Sequence, residues 1–127
     1  MNRNIIITAS IFGVLAVIAG AFGAHGLSKH LNAEQLNIWH TGVEYQFYHT
    51  FALLFLSTFT HSKSKLITAS YYLFTVGIIF FSGSLYLVAT QEYLKVILPT
   101  VVFLITPLGG LCFILGWLFL LLAAIKK

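Results

Sequence analysis

Three long stretches of the chain are almost entirely apolar, and their length dictates the environment in which the chain can fold. They cover residues 5–24, 66–90 and 96–125. At a rise of 1.5 Å per residue, a helix of about 20 residues crosses a hydrocarbon layer of roughly 30 Å. The composition agrees, because only 8% of the residues are charged, whereas soluble domains carry about 25%. The sequence therefore predicts an integral membrane protein.

A fourth stretch, residues 39–60, is also long enough to span a membrane, although it carries several polar side chains. Its helix is expected to begin near Asn32, because Asn32 and Gln35 have the spacing of a capping box. Gly26 is a natural stop for the helix before it. Four helices of spanning length predict an all-α fold, an integral membrane four-helix bundle, in a single domain over residues 1–127.

The first apolar run also has features of a signal peptide, since Arg3 precedes it. The run is longer than the usual apolar region of about 7 to 15 residues, so we expect it to remain in the protein as the first span. Small residues recur in this run at spacings of three and four, which predicts a close contact with another helix. These residues are Ala9, Gly13, Ala16, Gly20 and Ala24.

Basic residues flank the apolar runs, and the net charge is +4. On a soluble protein this charge would suggest a nucleic-acid partner, but here the basic residues anchor the helices at the membrane surface, and no nucleic acid is expected. Most of them fall on one side of the predicted topology, which places both termini in the cytoplasm. The residues on that side are Arg3, Lys63, Lys65, Lys126 and Lys127, against Lys29 and Lys95 on the other.

The second span contains a polar centre. At 100° per residue, His40, Glu44 and Tyr48 share one helix face. A carboxylate in hydrocarbon costs about 2.5 to 3.5 kcal/mol on insertion scales, so Glu44 is expected to face the bundle and to pair with a histidine or tyrosine. The opposite flank, with Val43 and Phe47, is expected to face lipid. The candidate polar or ligand site comprises His25, His40, Glu44, Tyr45, Tyr48 and His49.

Two interpretations of this polar centre stay open. It is either a proton-titrating or ligand-binding site, or a structural pairing that holds the helices in register. Tyr45 and Tyr48 either line a small-molecule pocket or only pack. No metal-site signature accompanies His40 and Glu44, and the single Cys112 has no partner, so we expect no metal and no cofactor.

The fourth span carries an internal proline, Pro107, followed by Gly109 and Gly110. A proline inside a helix removes a backbone hydrogen bond, so these residues predict a kink or an unwound turn. Such a break either contacts a ligand, as in some transporters, or simply lets the helix pack.

Several motifs resemble a known family. They are residues 20–26 (Gly-Ala-Phe-Gly-Ala-His-Gly), Trp39 with 41–46 (Thr-Gly-Val-Glu-Tyr-Gln), Tyr48-His49, 82–86 (Ser-Gly-Ser-Leu-Tyr), 106–111 (Thr-Pro-Leu-Gly-Gly-Leu) and Gly116-Trp117. Over essentially the whole chain, the sequence resembles the domain-of-unknown-function family 423. The resemblance implies a four-helix integral membrane protein of the bacterial plasma membrane, with relatives in eukaryotes and no assigned activity.

Three classes of function follow. We predict a binding or accessory protein that recognises a lipid, a hydrophobic small molecule or another membrane protein. The alternative is a small proton- or cation-linked transporter that uses Glu44 and the neighbouring histidines. An intramembrane enzyme ranks last, because no nucleophile pair is recognisable, and no enzymatic activity is expected. Homo-oligomerisation stays open.

Overall fold

The helices are capped where the sequence supplies capping signals. The computed structural model describes residues 2–59 and 64–126, and within these ranges it contains helices and no strand. A π-helical segment joins α3 to α4, so that residues 65–90 form one rod, here called the α3–α4 rod. The elements are α1 (Arg3–His25), a short 3₁₀ turn (Leu27–Lys29), α2 (Ala33–Leu56), α3 (Lys65–Gly77), the π-helical segment (Ile78–Ser82), α4 (Gly83–Thr90) and α5 (Thr100–Ile125).

The structure confirms the all-α membrane bundle. α1 with its 3₁₀ turn, the α3–α4 rod and α5 are each long and apolar enough to cross a membrane. α2 is equally long and packs along α1, but it is more polar. The four rods are the four helices that the sequence predicts.

The start of α2 follows the predicted capping box. The Asn32 side-chain oxygen accepts a hydrogen bond from the Gln35 backbone N–H (2.8 Å), and the Gln35 side-chain oxygen accepts one from the Asn32 N–H (2.9 Å). α2 ends at Leu56, four residues before the predicted end at Thr60, which lies outside the described residues. α5 begins at Thr100 rather than at residue 96, because Pro99 itself is extended and a proline disfavours the helical conformation of the residue before it.

Neighbouring rods run antiparallel. α1 packs on α2, α2 packs on α4, and α5 packs on α3, so α2 and the α3–α4 rod lie between α1 and α5. The Asn2 N–H donates to the Ser57 carbonyl (2.9 Å), and the Ser70 hydroxyl donates to the Gly116 carbonyl (3.0 Å). Both ends of the described chain therefore lie at one end of the bundle.

Small residues bring the rods together. Ala9 and Ala16 are buried, and α1 faces Val43 and Thr50 of α2 through Gly20 and Gly13, which confirms most of the predicted stripe. The stripe is wrong at its last member, because Ala24 is exposed. Gly23 makes this contact instead, and a Cβ added there would lie 2.6 Å from the Trp39 indole.

Of the kink or unwound turn predicted at Pro107, the unwound turn is wrong, because α5 is helical throughout; a kink stays a prediction. The glycines after it have another role. A Cβ at Gly109 would collide with the backbone nitrogen of Phe81, so glycine lets α5 approach the π-helical segment closely. The irregular turn lies in the α3–α4 rod rather than in α5.

Candidate functional site

α2 presents a different face to the bundle from the one the sequence predicts. Its buried residues follow the spacing of three and four that is typical of a packed helix. Val43, expected to face lipid, is buried, whereas Glu44, expected to face the bundle, is exposed. The buried residues are Trp39, Gly42, Val43, Gln46, His49, Thr50, Ala52, Leu53 and Leu56.

The outward face carries a row of polar side chains, His40, Glu44 and Tyr48, all exposed. Among residues 2–59 and 64–126, Glu44 makes no hydrogen bond and no ion pair, so its predicted pairing with a histidine or tyrosine is wrong. His25 is also exposed and is not bonded to it. We call His40, Glu44 and Tyr48 the outward polar row.

Two polar side chains that turn inward donate hydrogen bonds to α1. The Trp39 indole N–H donates to the Ala19 carbonyl, and the Gln46 amide donates to the Phe12 carbonyl, both at 2.8 Å. These acceptors are main-chain carbonyls of α1, which a carboxylate cannot use because it also only accepts. This direction of bonding explains why Glu44 is turned away from α1.

Gln46 joins three rods, and sequence reasoning missed it. Besides its bond to α1, its side-chain oxygen accepts a hydrogen bond from the Tyr86 hydroxyl of α4 (2.6 Å). The Ser82 hydroxyl donates to the Gly42 carbonyl of α2 (2.7 Å) one turn away. The regular spacing of Trp39, Gly42, Gln46 and Leu53 was the signal that could have identified Gln46 as buried.

His49 is buried and locked between two partners. Its Nε2 lies 3.1 Å from the Trp117 indole nitrogen, and its Nδ1 lies 2.7 Å from the Tyr45 carbonyl. Because an indole N–H only donates, Nε2 accepts, and the proton sits on Nδ1. The ring also stacks on Phe113, with centroids 3.5 Å apart. His49 is therefore a neutral histidine with neither nitrogen free.

An open groove of about 750 Å³ lies between α2 and α5. It contains three of the predicted site residues and two residues of the predicted helix break. His25, His40 and Glu44 are outside its lining, and Gly109 is buried against Phe81. The lining residues of this aromatic groove are Tyr45, Tyr48, His49, Phe81, Pro107, Gly110, Leu111, Phe113, Ile114 and Trp117.

Aromatic rings dominate the lining. The Tyr45 ring lies 4.8 Å from that of Phe81 and 5.7 Å from that of Tyr48, between centroids. No charged side chain lines the groove in the described part of the chain, and the two tyrosine hydroxyls make no hydrogen bond there. Tyr48 and Trp117 are about half exposed, so the groove opens to the outer surface. It is suited to an apolar molecule.

Two other features limit what the site can do. A smaller groove of about 420 Å³ lies between α1 and the α3–α4 rod, and its polar lining groups, Gln46 and Tyr86, already bond each other. Over the described ranges, no three His, Cys, Asp or Glu side chains lie close enough together to hold a metal ion.

These features define the class: an integral membrane protein of antiparallel helices with an aromatic groove that opens on its outer surface. The family model described as "Protein of unknown function (DUF423)" matches residues 19–110, and the chain belongs to this family. This confirms the resemblance seen in the motifs.

Curated relatives cover nearly the whole chain. UPF0382 membrane protein YwdK of Bacillus subtilis is 38% identical over 95% of both chains. UPF0382 membrane protein SAB0533 of Staphylococcus aureus is 42% identical over 95% of this chain and 94% of its own. UPF0382 inner membrane protein YgdD of Escherichia coli is 38% identical over 98% of this chain and 92% of its own. No solved structure matches the chain.

Proposed function

We propose that this protein is a binding or accessory protein that holds a lipid or a hydrophobic small molecule in the aromatic groove between α2 and α5. The volume of the groove, about 750 Å³, supports this, because ligand pockets of proteins measure about 300 to 1,000 Å³. Its mouth opens on the surface that lipid would cover, so a ligand could enter from the bilayer.

The base of the groove is rigid, which favours binding over simple lipid contact. His49 is fixed by Trp117 and by the Tyr45 carbonyl, and its ring stacks on Phe113. A preformed site loses less entropy when a ligand binds. The groove-lining rings are therefore held in place before a ligand arrives.

The alternative, a proton- or cation-linked transporter, gains no support from the described residues. Glu44 and His40 lie outside the bundle, and both nitrogens of His49 are engaged. The proposal assigns no chemical reaction to the protein.

The intrinsic fluorescence of Trp117 tests the proposal. The chain has two tryptophans, so Trp39→Phe leaves Trp117 as a reporter inside the groove. In non-ionic detergent micelles, we expect brominated diacylglycerol to quench Trp117 in a saturable manner. Quenching that only rises in proportion to the added lipid would contradict a binding site.

Two glycine substitutions distinguish binding in the aromatic groove from binding in the smaller groove. Gly110→Leu should fill the groove, since a Cβ there has only Phe81 nearby, at 3.9 Å, and should abolish saturable quenching. Gly83→Leu is the control, because Gly83 lines the smaller groove and has no atom within 4 Å of its Cβ. Equal quenching in both variants would count against the aromatic groove.

We also propose that all four rods span the membrane, with both termini in the cytoplasm. Arg3, Lys65 and Lys126 lie at one end of the bundle, and Lys29 and Lys95 lie at the other; Lys63 and Lys127 lie outside the described residues. In a Cys112→Ser background, we expect Ser28→Cys to react with an impermeant maleimide in intact cells, and Asn4→Cys only after lysis. The reverse pattern would invert the orientation.

A further inference from the structure

We propose that the outward polar row gives the aromatic groove a preference for lipids whose head group carries an ammonium group. This inference rests on the proposed binding function and adds the chemistry of the head group. It concerns Glu44, which does not line the groove.

The row continues the groove towards the membrane surface. Tyr48 belongs to both, since it lines the groove and is the last of the three residues of the row. Successive members lie four residues apart on α2, which separates them by about 6 Å along the helix axis. A molecule with its tail in the groove therefore has its head beside Glu44 and His40, towards the start of α2.

The charge at this position is unbalanced. Glu44 is exposed without a hydrogen bond or an ion pair from any described residue, and α2 contains no lysine or arginine. An unpaired carboxylate below a membrane surface is costly. The ammonium group of a zwitterionic head group would pair with it, whereas an anionic head group without an ammonium group would be repelled.

The outward faces of α1 and α5 are more apolar than that of α2. Apart from Ser10, the exposed positions in the middle of these two helices carry apolar or aromatic side chains. Examples are Ile7, Ile11, Val14 and Ile18 on α1, and Leu104, Leu108, Leu111 and Ile114 on α5. General tolerance of polar groups at the lipid boundary does not explain Glu44.

Paired brominated lipids test the preference. In non-ionic micelles, with Trp117 as the sole tryptophan, we compare brominated phosphatidylethanolamine with brominated phosphatidylglycerol, which differ in head-group charge. We expect the half-saturating concentration to be about fivefold lower for the ethanolamine lipid, the effect of a single partly exposed ion pair. Glu44→Gln should remove the difference.

A second glutamate on the same helix supplies the control. Glu34 is exposed in the first turn of α2, away from the groove, so Glu34→Gln should preserve the preference. An unchanged preference in Glu44→Gln would overturn the assignment of the head group, while loss of quenching in Gly110→Leu would still support the groove. If Glu44→Gln leaves the preference unchanged and Gly110→Leu leaves the quenching unchanged, the proposed function is rejected as well.

A second copy of the chain is the competing occupant of the row. Analytical ultracentrifugation of the wild type and Glu44→Gln in the same micelles distinguishes it. A wild-type dimer that Glu44→Gln converts to a monomer, with no change in lipid preference, would overturn the proposal and assign the row to self-association. A single mass for both proteins, together with lost preference, supports the lipid.

Discussion

Both faces of α2 carry polar side chains, but those on the inward face are buried and those on the outward face are exposed. On the inward face, Trp39 and Gln46 are buried and hydrogen-bonded to α1. On the outward face, Glu44 and Tyr48 are exposed and have no hydrogen bond within the described ranges. The free-energy cost of burying a polar group does not explain this difference, because all four side chains are polar. The direction of hydrogen bonding distinguishes Gln46 from Glu44: α1 offers carbonyl acceptors, which the Trp39 and Gln46 donors use and a carboxylate cannot.

The largest effect should come from adding bulk to each face. Gly42→Leu introduces a side chain where a Cβ already lies 2.8 Å from the Tyr86 ring, and should destabilise the protein by about 3 kcal/mol or more through overpacking. Glu44→Leu places the same side chain on the outward face and should change stability by less than about 0.5 kcal/mol. Equal losses, measured by unfolding in detergent, would mean that Glu44 also packs against protein.

Exchanging amide and carboxylate tests the direction of bonding with almost no change in shape. Gln46→Glu replaces the donor to the Phe12 carbonyl with a second acceptor, and should cost about 2 to 3 kcal/mol. Glu44→Gln is the reciprocal change and should leave unfolding nearly unaltered. If both variants unfold like the wild type, donor and acceptor identity do not decide which face is buried.

Removing a tyrosine hydroxyl at the inward face of α2 and another at its outward face should give a smaller difference in stability. Tyr86→Phe strands the buried Gln46 oxygen and should cost about 1 kcal/mol. Tyr48→Phe should be neutral, because its hydroxyl has no partner in residues 2–59 and 64–126. A double-mutant cycle of Tyr86→Phe with Gln46→Leu should recover the coupling, and additive effects would show that the bond contributes nothing.

The smallest effect concerns His49. Trp117→Phe removes one donor to Nε2 and should cost about 0.6 kcal/mol, the average for hydrogen bonds between membrane helices. The sharper measurement is nitrogen NMR of the imidazole, which should show a proton on Nδ1 and none on Nε2. A proton found on Nε2 would reverse the donor and acceptor roles assigned to Trp117 and His49.

The number of helices and their caps could be predicted, but the rotation of α2 could not be read from one residue. The apolar runs and the Asn32 capping box are local signals, and the structure bears them out. The cost of exposing a carboxylate to lipid predicted that the face of Glu44 is buried, whereas the spacing of Trp39, Gln46 and Leu53 predicted that their own face is buried. The free energy gained by packing the whole inward face is larger than the cost of leaving the Glu44 carboxylate exposed.

The aromatic groove was predictable only in part. Tyr45, Tyr48 and His49 were polar enough to be noticed in a membrane span, and Pro107 and Gly110 were noticed because they interrupt a run of large apolar residues. Phe81 and Trp117 look like ordinary lipid-facing aromatics in the sequence. Phe81 belongs to the π-helical segment, and nothing in the apolar run Ile78–Ser82 marks a wider turn.

That wider turn restricts how the length of the chain can change during evolution. A π-helical turn holds about one residue more than an α-helical turn, so deleting one residue from Ile78–Ser82 would restore a regular helix. Because the wider turn absorbs the extra residue, the part beyond it would then keep nearly the same face relative to α3, whereas a deletion elsewhere in the α3–α4 rod would rotate it by about 100°. Since α3 meets α5 and α4 meets α2, a deletion within Ile78–Ser82 would preserve both contacts, and a deletion elsewhere in the rod would break one of them. Among related sequences, single-residue gaps in this rod should therefore fall at the π-helical segment.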